Sequence, residues 1–248
     1  MSTSTRPATL ITGGSRGIGA AVARRLAADG HDLALTFRER RAEAETVAEE
    51  CRRHGSHVVL LQVDLADLDR AAETVTEAVG ALGRLTGLVN NAGITGRIGP
   101  FLEDTTEQDE LVFRINVLAP LATTRAAIGY LREHGGGSIV NISSGAATSG
   151  APRTYIPYAM SKAALNLLTV GAAKEFAAEG IRVNTVSPGT TFTEIHAAAG
   201  RPHAPEERAP GLPMRRAAYP EEIAGAVAYL LSEDASYTNG ADIRVTGG

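Results

Sequence analysis

The sequence predicts a single doubly wound α/β domain, a parallel sheet with helices on both faces. Short apolar runs alternate with helical stretches along the whole chain, and that alternation means βαβ units. A glycine-rich turn separates the first apolar run from the first helical stretch. The 248 residues suffice for one well-buried core, and neither a linker nor an internal repeat divides them. Right-handed crossovers then place any ligand at the carboxyl ends of the strands.

In chain order, residues 8–12 read as a short buried strand. Residues 18–28 form a helix that Gly30 stops. A second strand covers 31–37, a charged helix about 40–54, and a third strand 57–63, closed by Asp64. Residues 67–82 look helical, and 85–91 form a fourth strand ending in Asn90-Asn91-Ala92-Gly93. A long helix over about 106–133 should break or bend near Pro120, which has no N–H to continue the ladder. Strand five covers 138–143, followed by a helix to about residue 179 whose start Pro157 sets. Strand six covers 181–187, a helix 221–232, and a last strand 242–246. Between them, 190–213 carries four of the eleven prolines and little periodicity. A long irregular segment inside a compact domain is usually a lid or binding loop.

Composition narrows the function classes. The formal net charge is −4 and no basic tract stands apart from acidic neighbours, which argues against a nucleic-acid partner. Residues 1–6 are polar, without the apolar core of a signal peptide. No apolar run of membrane-spanning length is expected. The lone Cys51 has no disulfide partner, and the scattered histidines show no ligand spacing, so no metal is expected. The expectation is a soluble, cytoplasmic protein.

The chemistry centres on Tyr158-Ala-Met-Ser-Lys162. A tyrosine and a lysine four apart share a helical face, and the ammonium should favour the phenolate. Such a phenol can give or take a proton near neutral pH. Just upstream, a buried strand ends in Ser143 and Ser144. The turn Thr12-Gly-Gly-Ser-Arg-Gly-Ile-Gly19 suits a pyrophosphate at a helix N-terminus. NAD-binding proteins usually end strand two with a carboxylate, but this strand ends Thr36-Phe37-Arg38, with no carboxylate before Glu39. Arg16 and Arg38 instead suit the 2′-phosphate of NADP.

With a glycine turn, a hydroxyl after strand five and the Tyr/Lys pair, the chain resembles a short-chain dehydrogenase/reductase over nearly its whole length. The resemblance implies a Rossmann-type sheet of seven strands in the order 3-2-1-4-5-6-7. It implies NADP(H) as cofactor, with NAD(H) the second choice, and a small carbonyl or alcohol as substrate. Tyr158 would be the general acid or base, and Lys162 would tune it and hold the nicotinamide ribose. Ser144 would hold the substrate oxygen. It stands one residue farther from Tyr158 than is usual in the family, and Ser143 is the competing choice. Asn116 is the fourth catalytic position. Its carbonyl, which Pro120 cannot engage, would bind a relay water.

The cofactor would lie on Gly13, Ser15, Arg16, Gly17, Ile18 and Gly19. Asp64 and Leu65 would meet the adenine, although Asp64 could equally cap the next helix. Asn90, Ala92 and Gly93 would form a floor under adenine and ribose. Pro188, Gly189, Thr191 and Thr193 would reach the nicotinamide carboxamide. Arg97, Arg153, His196 and Arg201 could meet an anion, but solvated surface is the simpler reading.

The apolar circumference of residues 163–176 asks for cover beyond one sheet. The resemblance supplies a homotetramer, pairing this helix and 106–133, with a second interface along 223–231 and the last strand. Rival readings are an enoyl-thioester reductase using Tyr155 with Lys162, a sugar-nucleotide epimerase, and a nucleotide sensor without turnover.

Overall fold

The computed structural model describes residues 6–248, so the polar N-terminal stretch lies, apart from Arg6, outside the described residues. Seven strands form one parallel sheet: β1 Ala8–Ile11, β2 Asp32–Phe37, β3 Val58–Gln62, β4 Gly87–Asn90, β5 Gly137–Ile142, β6 Ile181–Pro188 and β7 Asp242–Val245. Their spatial order is β3-β2-β1-β4-β5-β6-β7. The chain therefore winds outward from β1 and then, after β3, outward again from β4. Strand ends shift by a residue or two from those the sequence predicts.

Side-chain alternation along each strand feeds two cores. Ile11, Leu35, Val89, Val140 and Val186 point to one face, against α1 (Gly17–Ala28), α2 (Arg41–Arg52) and α9 (Pro220–Leu231). Leu10, Ala34, Leu88, Ile139 and Val183 point to the other, against α3 (Leu68–Leu82), α5 (Ala119–Leu131) and α7 (Ile156–Phe176). Each fully buried leucine contributes about 2 kcal/mol, which is why these strands read as unbroken apolar runs. Local signals set the helix ends. Asp67 caps α3 by accepting the Arg70 N–H at 3.1 Å, and Gly83 closes it with φ +77°.

The long helix breaks just before Pro120, not at it. Thr106–Phe113 (α4) passes into a π turn, Arg114–Leu118, and α5 begins at Ala119. Because Pro120 lacks an N–H, the ladder widens, and the Ala119 N–H bonds the Arg114 carbonyl. The helical stretch Thr106–Leu131 contains an 18-residue window with mean hydropathy 1.3, long and apolar enough to cross a membrane by length and composition alone. Half of that apolar window is buried within the fold, where Ala127, Ile128 and Leu131 serve as core.

Along 223–231, Ile223, Ala224, Val227, Ala228 and Leu230 pack into the core, and Tyr229 is exposed.

The segment 190–213 is less irregular than its prolines suggest. It holds the 3-10 turns Ala197–Ala199 and Ala209–Gly211 around a short helix, α8 (Ala204–Arg208). One short helix, α6 (Ala146–Ser149), follows β5.

Candidate active site

A cleft of about 1050 Å³ lies over the carboxyl ends of the strands. Its first wall is the turn between β1 and α1. Gly13 (φ +67°) and Gly17 (φ +52°) occupy the left-handed region that the turn requires. Thr36 on β2 anchors it, accepting the Gly13 N–H at 3.0 Å through Oγ1 and the Gly14 N–H at 2.9 Å through its carbonyl. The α1 N-terminus has no side-chain cap and no acid in its first turn. Its free N–H groups and positive dipole end therefore face the cleft, where Ser15, Arg16, Gly17 and Ile18 line the wall. This set fits a bound pyrophosphate.

Two expected cofactor contacts are corrected. Gly19 does not line the cleft; a Cβ there would stand 2.2 Å from the Gly13 carbonyl oxygen. Its smallness lets α1 close against the turn. Asn90 also lies off the cleft, in a buried polar net. It donates to Thr124 (3.0 Å) and Asn141 (2.9 Å) and accepts from Thr123 (2.7 Å). Strand alternation gives the cleft to its neighbour Asn91, whose amide braces the Thr12 carbonyl at 2.9 Å and that of Gly13 at 3.1 Å. Ala92 and Gly93 line the cleft as expected.

At the ends of β2 and β3, Arg38, Asp64 and Leu65 all reach the cleft. Glu39 does so too and ion-pairs Arg38 at 2.9 Å. Asp64 does not cap α3, a role that Asp67 takes. It accepts the Ala66 N–H at 2.9 Å in a local turn. After β6, Pro188, Gly189, Thr191 and Thr193 line the far wall. The Thr193 methyl lies 3.3 Å from where a Cβ on Gly17 would stand, a tight contact that adds to the left-handed φ in favouring glycine.

At the floor, Tyr158 and Lys162 share the buried face of α7. Lys162 Nζ sits 5.7 Å from the Tyr158 ring centroid and donates to the Ile142 carbonyl at 2.8 Å. Burial holds its pKa down, to about 8. The expected lowering of the Tyr158 pKa does not occur in this arrangement. Burial raises the phenol well above its ordinary value, a hydrogen bond with Ser144 partly offsets this, and Tyr155 adds to the rise. Desolvation is the largest cause, and the Lys162 ammonium is not among the groups that offset it.

Both serines line the cleft, but Ser143 Oγ is engaged, donating to the Lys162 carbonyl at 3.2 Å, whereas Ser144 is the one that acts on the Tyr158 phenol. Asn116, buried in the π turn, does not line the cleft. Its amide donates to the Ile94 carbonyl (2.8 Å) and Ser161 (3.0 Å), and its Oδ1 accepts the Ile94 N–H (2.9 Å). Gly93 fits between: a Cβ there would meet Asn116 Oδ1 at 3.0 Å and Lys162 Nζ at 3.3 Å.

The last wall comes from 190–213. Tyr155, the residue before α7, meets Tyr158 edge to face at 5.0 Å. His196 stacks on it at 6.3 Å, and Arg208 donates to its hydroxyl at 3.1 Å. Assigning His196 to solvated surface is therefore wrong, since the ring is buried and lines the cleft. Arg97 also reaches the cleft and pairs with Glu103. Arg153 and Arg201 are exposed, as expected. Sequence reasoning missed Arg208 altogether. Fifty-three positions separate it from Tyr155, and no local pattern marks the contact. Among the described residues no cluster could hold a metal ion.

Known proteins agree with this geometry. The family profile described as Enoyl-(Acyl carrier protein) reductase matches residues 13–248. The Escherichia coli K12 protein named Uncharacterized oxidoreductase YgfF is 38% identical over 242 residues, covering 96% of this chain and 98% of that protein. The 3-oxoacyl-[acyl-carrier-protein] reductase FabG of Staphylococcus aureus Mu50 is 33% identical over 239 residues, covering 96% of each chain. Among solved structures, a short chain dehydrogenase from Burkholderia cenocepacia in complex with NADP superposes with TM-score 0.90 at 34% identity, covering 98% of this chain and 97% of that one. An NAD+-bound xylitol dehydrogenase superposes with TM-score 0.89 at 30% identity, covering 98% of each. Turn, sheet order, Tyr/Lys pair and relatives converge: this chain belongs to the short-chain dehydrogenase/reductase family of oxidoreductases.

Proposed function

We propose that the protein is an NADP(H)-dependent oxidoreductase interconverting a carbonyl and a secondary alcohol. The observation that carries this reading is that Ser144 and Tyr158 line the same cleft, close enough for the serine to act on the phenol. This arrangement sets two hydroxyl groups where one substrate oxygen could meet both. The glycine turn supports a dinucleotide, with Arg16 and Arg38 toward its 2′-phosphate. When bound, the nicotinamide supplies or accepts the hydride. Tyr158, kept protonated by burial, gives its proton to the developing alkoxide in reduction and takes it back in oxidation. Ser144 holds the oxygen. Lys162 binds the nicotinamide ribose and places a positive charge beside the forming phenolate. The Asn116 amide locks Ile94, leaving its backbone carbonyl to hold a relay water.

Segment 190–213 acts as the substrate lid. A homotetramer fits the exposed stripe Met160, Ala163, Leu167 and Gly171 on α7, beside Leu111 and Leu118 on α4 and the π turn. We place the protein in the cytoplasm.

The test is a carbonyl panel followed by NADPH absorbance. Tyr158→Phe should lower kcat by about a thousandfold while NADPH still binds, and Tyr155→Phe should change mainly KM. Loss of activity only in Tyr155→Phe, with turnover of an enoyl thioester, would overturn this reading in favour of enoyl reduction. NADPH binding without turnover of any carbonyl or enoyl compound would leave a sensor.

A further inference from the structure

The substrate end of the cleft holds a cation without a counter-ion. Arg208, the last residue of α8, is half-buried and has no carboxylate partner among the described residues. Its neighbours in the same wall differ. Arg201 pairs with Glu207 at 2.5 Å, and Arg97 pairs with Glu103. Arg208 rests over the Tyr155 ring at 5.6 Å and donates through Nη1 to its hydroxyl at 3.1 Å. That contact engages one edge of the guanidinium and leaves the rest of the fork for a ligand. It also turns the Tyr155 hydroxyl into an acceptor toward Arg208, so its own proton is free to point elsewhere.

A second group beside it is also incomplete. His196 is only 7% exposed, faces the cleft, and its Nδ1 is buried without a partner. Burial, then Arg208 and Arg201, keep the imidazole neutral, with its pKa near 4, and no carboxylate acts on it. An unpaired buried polar atom costs stability until a ligand satisfies it. The side chains that bring carboxylates to the cleft are Glu39, Asp64 and Glu194. Glu39 and Asp64 follow β2 and β3, and Glu194 stands 4.0 Å from the Cβ position of Gly17. All three belong to the nucleotide half, whereas Arg208 and His196 stand against the Tyr155 ring.

We propose that the substrate carries a carboxylate, held by Arg208 with the Tyr155 hydroxyl and His196 Nδ1, one ring removed from Tyr158. The protein then acts on an oxo acid or the corresponding hydroxy acid. This assignment rests on the carbonyl-reductase reading above. Guanidinium recognition of a carboxylate is charge-assisted and planar, and therefore discriminates an acid from its neutral ester.

The experiment compares acetoacetate and levulinate, each beside its methyl ester, with NADPH as reductant. The wild type should favour the acid by about tenfold or more in kcat/KM. In Arg208→Gln that ratio should fall toward one, chiefly through KM for the acid, and Arg208→Lys should restore part of it. A thermal melt with NADPH checks that each variant is folded. If Arg208 merely clasps the lid to Tyr155, acid and ester lose activity together and the ratio does not move, which refutes the assignment. Equal wild-type rates for acid and ester refute it as well. A preference for dihydroxyacetone phosphate over both acids would replace the carboxylate by a phosphate. Turnover of esters and neutral ketones without acid preference sinks this inference alone. No turnover of any carbonyl sinks the underlying reading too.

Discussion

The two ends of the sheet treat their buried ionisable groups in opposite ways. At the amino end, Asp32 opens β2 almost wholly buried and fully partnered. It meets Arg84 at 3.0 Å, Arg6 at 3.3 Å and the His57 N–H at 3.0 Å. Nearby, buried His31 is tied to Thr9 at 2.9 Å. At the carboxyl end, the Lys162 ammonium has a backbone carbonyl but no ion pair, and His196 Nδ1 has nothing. The amino end closes the fold, and the carboxyl end leaves valences for ligands. Such division is expected where ligands bind outside the carboxyl ends of a doubly wound sheet.

The largest expected effect lies at the amino end. Asp32→Ala would remove the buried carboxylate that Arg84, Arg6 and the His57 N–H share, costing about 3–5 kcal/mol of stability in denaturant unfolding. A loss below about 1 kcal/mol would place Asp32 with ordinary surface pairs and erase the contrast.

Next comes Gly19→Ala. The added Cβ would collide with the Gly13 carbonyl, which is backbone and cannot swing away. NADPH affinity, read by fluorescence titration, should fall by about a hundredfold, or roughly 2.7 kcal/mol. Unchanged affinity would mean that the turn is not the phosphate site.

Lys162 supplies the counterpart of Asp32. Its folded pKa, about 8, lies below the ordinary lysine value, so the unfolded chain binds more protons between the two. The ligand-free protein should therefore gain stability as pH rises from about 8 toward the lysine range, and the penalty is fully present below that window. Lys162→Met should stabilise the ligand-free protein at neutral pH by roughly 2 kcal/mol while abolishing turnover. A destabilised Lys162→Met would show that the lysine is structural, like Asp32.

The smallest effect concerns the cofactor. Replacing Arg16 and Arg38 together by Ala should weaken NADPH binding about tenfold. NADH should hold or gain slightly, because Glu39 loses its partner and can accept from a ribose hydroxyl. Equal losses for both cofactors, measured by calorimetry, would return the arginines to a structural role.

Much of this was legible in the chain. Apolar runs of strand length, the glycine turn and Pro157 act over a few residues, and local sterics and burial suffice to set them. They determined the doubly wound sheet, the turn at its carboxyl edge, and Tyr158 and Lys162 on one helical face. Tertiary structure decided what depends on distant partners. Strand alternation at the end of β4 sent Asn90 into the polar net and Asn91 to the turn. Of two adjacent serines, Ser143 was taken by the Lys162 carbonyl and Ser144 is the one that acts on the Tyr158 phenol. Lys162 could be expected to lower the phenol, but the depth of the site reversed the shift, since desolvation depends on everything packed around the pair. Arg208 and His196 reached Tyr155 only when segment 190–213 folded against the start of α7. Periodicity along a chain registers neighbours within a turn or two, whereas a contact between α8 and the start of α7 is set by the whole sheet between them.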